Sequence, residues 1–146
     1  KQYEKERLDY FKKHKKISNY DSENIMYHLL NKVLEDYKDL TFTFRYPVNI
    51  LIKDKTLLTE EERKYASYHN THIDFLIYNK ISKIPLLAVE VDGYKYHKED
   101  NKQKERDILK NNILSKYNIP LIRLTTNGSS EESIIRSKLD EIVNNK

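Results

Sequence analysis

The sequence has no cysteine and no tryptophan, and only 2 glycines and 3 prolines. Without cysteine there is no disulfide framework, no thiol nucleophile and no Cys-ligated zinc. So few glycines cannot build the glycine-rich phosphate loops of P-loop or dinucleotide-binding proteins. No apolar run reaches the roughly 18 residues of a membrane-spanning helix, so no membrane span is expected. No basic segment followed by an apolar one opens the chain, so no secretory leader is expected, and the setting is read as intracellular, that is cytoplasmic. The first residue is Lys1 rather than Met, as in a piece of a longer protein.

What the chain has is charge. Charged residues make up 34% of the 146 and hydrophobic ones 38%, which supports one small core and one domain. Lys plus Arg is 27 and Asp plus Glu is 23, a balance of +4. That balance is uneven. Residues 1–16 hold 7 basic and 3 acidic residues; residues 17–92 hold 9 and 12; residues 93–123 hold 8 and 4. An acid-rich half is thus followed by a basic stretch. Such runs are commonly just solvated surface, but basic surface flanking acidic ligands is also what an enzyme acting on a polyanion needs.

The periodicities give an order of elements. Residues 3–16 read as a helix with a basic end at Lys12, Lys13, Lys15 and Lys16, so residues 1–18 are taken as an N-terminal basic helix and 19–146 as a single domain. In residues 22–38, Met26, Leu29, Leu30, Val33, Leu34 and Tyr37 recur at helical spacing, with Ser18, Asp21 and Ser22 as possible caps and Glu23 on the side of the apolar stripe. Residues 41–46 alternate as a strand ending at Pro47, with 48–52 as its extension. Residues 53–70, with a run of acids at 60–62, read as a loop that could hold a short helix. Residues 73–78 form a strand with Ile73, Phe75 and Ile77 on one face and Asp74, Leu76 and Tyr78 on the other. Residues 86–92 form a buried strand joined to it as a hairpin. A helix over 99–117 crosses to a strand over 119–124, which predicts a parallel pair. After a turn at 127–129, a last helix over 131–144 has Ile134, Ile135, Leu139, Ile142 and Val143 as its apolar face. The class is α/β, a mixed central sheet flanked by helices.

Three acids sit where acids are costly. Asp74 interrupts an apolar strand, and Glu90 and Asp92 lie at the tail of the most apolar one. Period-two geometry puts Glu90 and Asp92 on one face, roughly 6.5 Å apart along a strand rising about 3.3 Å per residue. Burying a carboxylate requires a cation beside it. That cation is a Lys or Arg, or a hard metal ion that prefers oxygen ligands. Gly93 follows at once, a sharp exit that leaves the acids open, and His97 lies four residues further on. In the next helix Gln103, Arg106, Lys110, Ile113, Leu114 and Tyr117 share a face at about 100° per residue. The apolar half of that face belongs to the core. The polar half either salt-bridges the acids as structure or lines a site, and the cost of the arrangement favours a site.

The run His72-Ile-Asp74-Phe-Leu-Ile, then Ala88-Val-Glu90-Val-Asp92-Gly93, then His97, then Gln103-Lys-Glu-Arg106-Asp107 with Lys110, then Ile119-Pro-Leu-Ile-Arg123 resembles the PD-(D/E)XK nuclease superfamily. It is most similar to the branch of domains related to very-short-patch-repair endonucleases, some of which are joined to helicases. The resemblance spans about residues 20–126. It implies a restriction-endonuclease-like αβββαβ core, with extra helices at both ends here. It implies Mg²⁺ (or Mn²⁺) on Asp74 and Glu90, with the Val91 carbonyl as a further ligand and Glu23 reaching the metal directly or through water. In the superfamily a Lys stands where this chain has Asp92; an Asp there is common in this branch. Lys95, His97 or Lys110 would then handle protons or bind phosphate, and Gln103 and Arg106 would hold the scissile phosphate, with His72 beside them on the nucleic acid.

The expected activity is metal-dependent phosphodiester hydrolysis, with DNA as substrate, catalysed by Asp74, Glu90, Asp92, His97 and Lys110. A helicase or other larger polypeptide is an expected partner, and basic residues 93–123 would meet backbone phosphates. The competing reading is a non-catalytic nucleic-acid-binding or docking module on the same fold, motivated by the missing Lys. A small-molecule phosphoesterase is the third.

Overall fold

In the computed structural model, residues 17–92, 101–125 and 130–144 are described. The expected helix over 3–16, the segment with Gly93, Lys95 and His97, and the turn at 127–129 lie outside them. The elements run α1 (Asp21–Leu34), β1 (Leu40–Pro47), α2 (Val48–Leu51), α3 (Glu60–Ser67), β2 (His72–Asn79), β3 (Pro85–Val91), α4 (Asn101–Lys116), β4 (Leu121–Leu124) and α5 (Glu131–Asn144). With α2 and α3 inserted, this contains the expected αβββαβ order.

The four strands form one mixed sheet in the order β1-β2-β3-β4. β1–β2 and β2–β3 are antiparallel, and β3–β4 is parallel, as the crossover through α4 requires. The β2–β3 turn is closed by Asn79, whose side-chain Oδ1 accepts the N–H groups of Ile81 and Ser82 at 2.9 and 3.0 Å.

Each face of the sheet has its own core. Met26, Leu30 and Val33 of α1 and Ile135 and Leu139 of α5 cover Phe75, Ile77, Leu87 and Val89. On the other face, Val48, Leu58, Ala66, Ile113 and Leu114 cover Ile73, Leu76 and Ala88.

Several expectations are corrected. Residues 48–52 do not extend β1: after Pro47 the chain turns into the one-turn helix α2, which buries Val48 and Ile52. The short helix that the loop over 53–70 could hold is present as α3, fixed by a capping box in which the Thr59 hydroxyl accepts Glu62 N–H and the Glu62 carboxylate accepts Thr59 N–H. None of Ser18, Asp21 and Ser22 caps α1. Its N-cap is Tyr20, with no side-chain bond. The buried Asn24 amide instead ties the entering turn, accepting from Ile17 N–H and Ser18 N–H and donating to the carbonyls of Ser18 and Tyr20. Ile73 does not share the core of Phe75 and Ile77 but joins that of Leu76. The strand leaves strict alternation where its ladder with β3 ends at Phe75↔Val89 and Arg45 on the other side takes a left-handed φ of 56°. In α5, Ile134 and Val143 are exposed, so the buried stripe is narrower than its apolar composition.

Candidate functional site

The site grows from the place where β2 and β3 part. Beyond Phe75↔Val89, the Asp74 N–H donates to Glu90 Oε2 at 2.7 Å, and the Val91 N–H donates to Asp74 Oδ2 at 2.9 Å. Each carboxylate thus satisfies a backbone donor of the opposite strand that would otherwise be buried without a partner. On the far side Glu90 stands in register with Arg123 of β4. On the near side Arg45 falls between the pairs Phe44↔Phe75 and Tyr46↔Ile73, opposite Asp74. One residue from each strand therefore makes a transverse charged row, Arg45, Asp74, Glu90, Arg123.

The helix α4 completes the site from above. Lys110 is buried, and its ammonium donates to Glu90 Oε1 and, at 2.8 Å, to the His72 carbonyl. Arg123 is a hub: its guanidinium lies 3.9 Å from Glu90, 3.7 Å from Asp92 and 3.3 Å from Asp107, and donates to Asn111 Oδ1 at 2.9 Å. Gln103 donates to Asp107 and accepts from Arg106.

Electrostatics follow the burial. Desolvation pushes the Glu90 carboxyl up, against the lowering pull of Lys110. Burial also works against the Lys110 charge, but Glu90 and its neighbours outweigh it and hold the ammonium above its ordinary value. The His72 ring has its Nδ1 2.9 Å from the Asn70 carbonyl and its Nε2 3.5 Å from Asp74 Oδ1. The bond to Asp74 raises its pKa, against burial. Glu23 is buried at the start of α1, where it accepts from the Ser18 hydroxyl at 2.6 Å and lies 3.5 Å from Arg45.

One cavity of about 680 Å³ joins these groups. Its walls include Glu23, His72, Asp74, Glu90, Val91, Asp92, Gln103, Arg106 and Lys110, which are all the expected site residues that lie among the described ones. His97 and Lys95 are outside them. The cavity also takes in Arg123, Asp107, Tyr65, Tyr68 and Asn70, which were not among the site residues expected from sequence. Arg123 had a signal of the same kind as the acids, a charge inside an apolar strand. Burial pushes the Tyr65 hydroxyl above its ordinary pKa. Tyr65 lies on α3, within the stretch expected to be a loop that could hold a short helix.

Among the described residues no group of three or more acidic or histidine side chains converges as a metal cage. Mg²⁺, however, keeps several waters and is commonly held by one or two carboxylates plus substrate phosphate. Asp74 and Glu90, two hard-oxygen donors side by side on a solvent-connected cavity, fit that demand. No described helix is long and apolar enough to cross a membrane.

Fold and site together define a mixed α/β domain with a polar cavity over the strand ends, where paired carboxylates meet inward-facing cations. The profile of the family described as "Protein of unknown function (DUF2726)" matches residues 15–142, and the chain belongs to that family. No curated protein and no solved structure matches it.

Proposed function

We propose that this chain is a metal-dependent nuclease of the PD-(D/E)XK, restriction-endonuclease-like kind, related to the very-short-patch-repair branch, hydrolysing phosphodiester bonds in DNA. The observation that carries this reading is the meeting of Asp74 and Glu90 with the Lys110 ammonium at one cavity floor. Asp74 and Glu90 would hold Mg²⁺ or Mn²⁺, with the Val91 carbonyl and Glu23 as further or water-mediated ligands. That ion supplies a hard Lewis acid, which acidifies water and neutralises phosphate charge.

The rest is the work of the chain's own groups. Asp92 occupies the position where the superfamily pattern has Lys. Lys110 reaches Glu90 from α4 instead, so its ammonium is available to hold the attacking water or the phosphate. Arg123 and Arg106 add positive charge around the phosphate. His72, polarised by Asp74, is placed to hold a proton near neutral pH, and His97 and Lys95, from the segment after Asp92, are further candidates for proton handling and phosphate binding. Gln103 orients Arg106 and Asp107. A helicase or other larger polypeptide and a cytoplasmic setting remain part of the proposal.

The test is cleavage of labelled single- and double-stranded DNA with Mg²⁺ or Mn²⁺. Cutting that is lost in Glu90→Gln and Asp74→Asn is the expected result. Failure to cut any DNA form, or undiminished cutting by Glu90→Gln, rejects the reading.

A second reading, a non-catalytic nucleic-acid-binding module, is favoured by one fact. Glu90 already receives the Asp74 N–H and the Lys110 ammonium, with Arg123 close by. Calorimetric titration with Mg²⁺ separates the two: heat of binding that disappears in Asp74→Asn supports the nuclease, and none in the parent supports the module.

A further inference from the structure

The cavity has an aromatic rim as well as a charged floor. Among the described tyrosines and phenylalanines, only Tyr20 and Tyr68 are exposed, at 48% and 55%. Both line this one cavity. They come from separate places, Tyr20 from the turn before α1 and Tyr68 from the end of α3. The Tyr68 ring lies 4.7 Å from the His69 ring, tilted by 51°. The other rings are half-buried or buried and serve packing. Exposed Lys64 and Arg106 line the same walls. Rings for base faces with cations for phosphates are the parts from which single-strand binding is built.

Depth argues the same way. At the floor, the Glu90 and Lys110 side chains are 5% and 11% exposed. The cavity volume, about 680 Å³, lies within the range of drug-sized ligand sites, about 300–1,000 Å³. A continuous duplex keeps its base faces covered by stacking and offers Tyr20 and Tyr68 nothing to bind. A strand whose bases have left the stack offers both a phosphate for the floor and a face for each ring.

We propose that Tyr20 and Tyr68 form a base-stacking subsite that selects DNA with unpaired bases, single strands or single-stranded tails, over continuous duplex. The proposal rests on the nuclease reading only for what the floor does to the strand; binding is independent of it.

The experiment measures fluorescence anisotropy on the full chain with three probes: a labelled single-stranded DNA, the same strand with abasic positions at its centre, and a blunt hairpin duplex. The intact strand is expected to bind about tenfold or more tighter than the abasic one, which has the same phosphates. Tyr68→Ala and Tyr20→Ala should each shrink that ratio, and Tyr68→Phe should keep it. Both positions are exposed, and unchanged thermal melts confirm that the variants fold. Equal binding of intact and abasic strands, preference for the duplex, or a ratio unmoved by both alanine variants overturns the subsite. Base-dependent binding with no cutting in Mg²⁺ or Mn²⁺ keeps the subsite and rejects the nuclease. Duplex cutting indifferent to Tyr68→Ala does the reverse.

Discussion

Asp74 and Glu90 each hold the other's strand: the Asp74 N–H donates to the Glu90 carboxylate, and the N–H following Glu90 donates to the Asp74 carboxylate. Side-chain oxygens take over as acceptors where the β2–β3 ladder ends. The two acids are therefore part of the sheet's own bonding as well as of the cavity wall. Each carboxylate is fixed in position by a backbone N–H of the opposite strand, and both line the same cavity.

Removing the cation from this pair should be costly. Lys110→Met leaves Glu90 buried with its nearest ammonium gone, and a broken buried pair is worth about 3–5 kcal/mol. Urea unfolding should show a loss of that order. The double variant Lys110→Met with Glu90→Gln should recover part of it. A single variant as stable as the parent contradicts the pairing.

Stability should depend on pH through His72. Its folded-state pKa is raised above 6.5, led by the bond to Asp74. A raised value means that the contribution is fully present below 6.5 and fades as pH climbs through the folded-state value. His72→Gln should therefore destabilise well below 6.5 and matter little well above it. Urea midpoints of the two proteins across pH read this directly; a constant difference goes against it.

At the other end of α3, Thr59→Ala removes one arm of the capping box and should cost about 1 kcal/mol. Glu62, the other arm, also accepts from Lys116 of α4, and that bond is the first cause of its lowered pKa. A lowered value gives stability that is present above 4.5 and lost as pH falls through the folded-state value. Lys116→Met should flatten acid unfolding in that range, measured by circular dichroism at stepped pH.

Phe75 is fully buried, with the rings of Phe42 and Phe44 at 5.8 and 5.2 Å. Phe75→Ala should cost about 3–5 kcal/mol, and Phe75→Leu clearly less. Equal losses would mean that the site collapses around the smaller side chain.

The strands, the crossover and the acids were legible in the sequence because they carry strong contrasts. Asp74 and Glu90 stand among Ile, Phe, Leu and Val, and Lys110 precedes Ile113 and Leu114 on one helix face. What is legible only in part, or not at all, lacks such contrast. In α3, Glu60, Glu61, Arg63 and Lys64 mask the only buried apolar residue, Ala66, so the helix rests on its cap rather than on periodicity. The turn of the chain after Pro47 depends on burial of Val48 and Ile52 against the second core, which no local pattern announces. Tyr68, at the end of α3, carries no such contrast either. The departure of Ile73 from alternation coincides with the left-handed Arg45, a strand away.

The left-handed backbone of Arg45 has one more consequence. β1 and β4 are the outer strands of the sheet. An outer strand of eight regular residues would present a row of hydrogen-bonding groups to any neighbouring molecule. In β1 that row is interrupted at Arg45, whose charge is half in solvent, and stops at Pro47, which has no N–H to give. β4 is only four residues long. Among the described residues, both borders of the sheet are thus poor templates for strand addition, a guard against edge-to-edge pairing in a chain this rich in β-forming tyrosine and isoleucine.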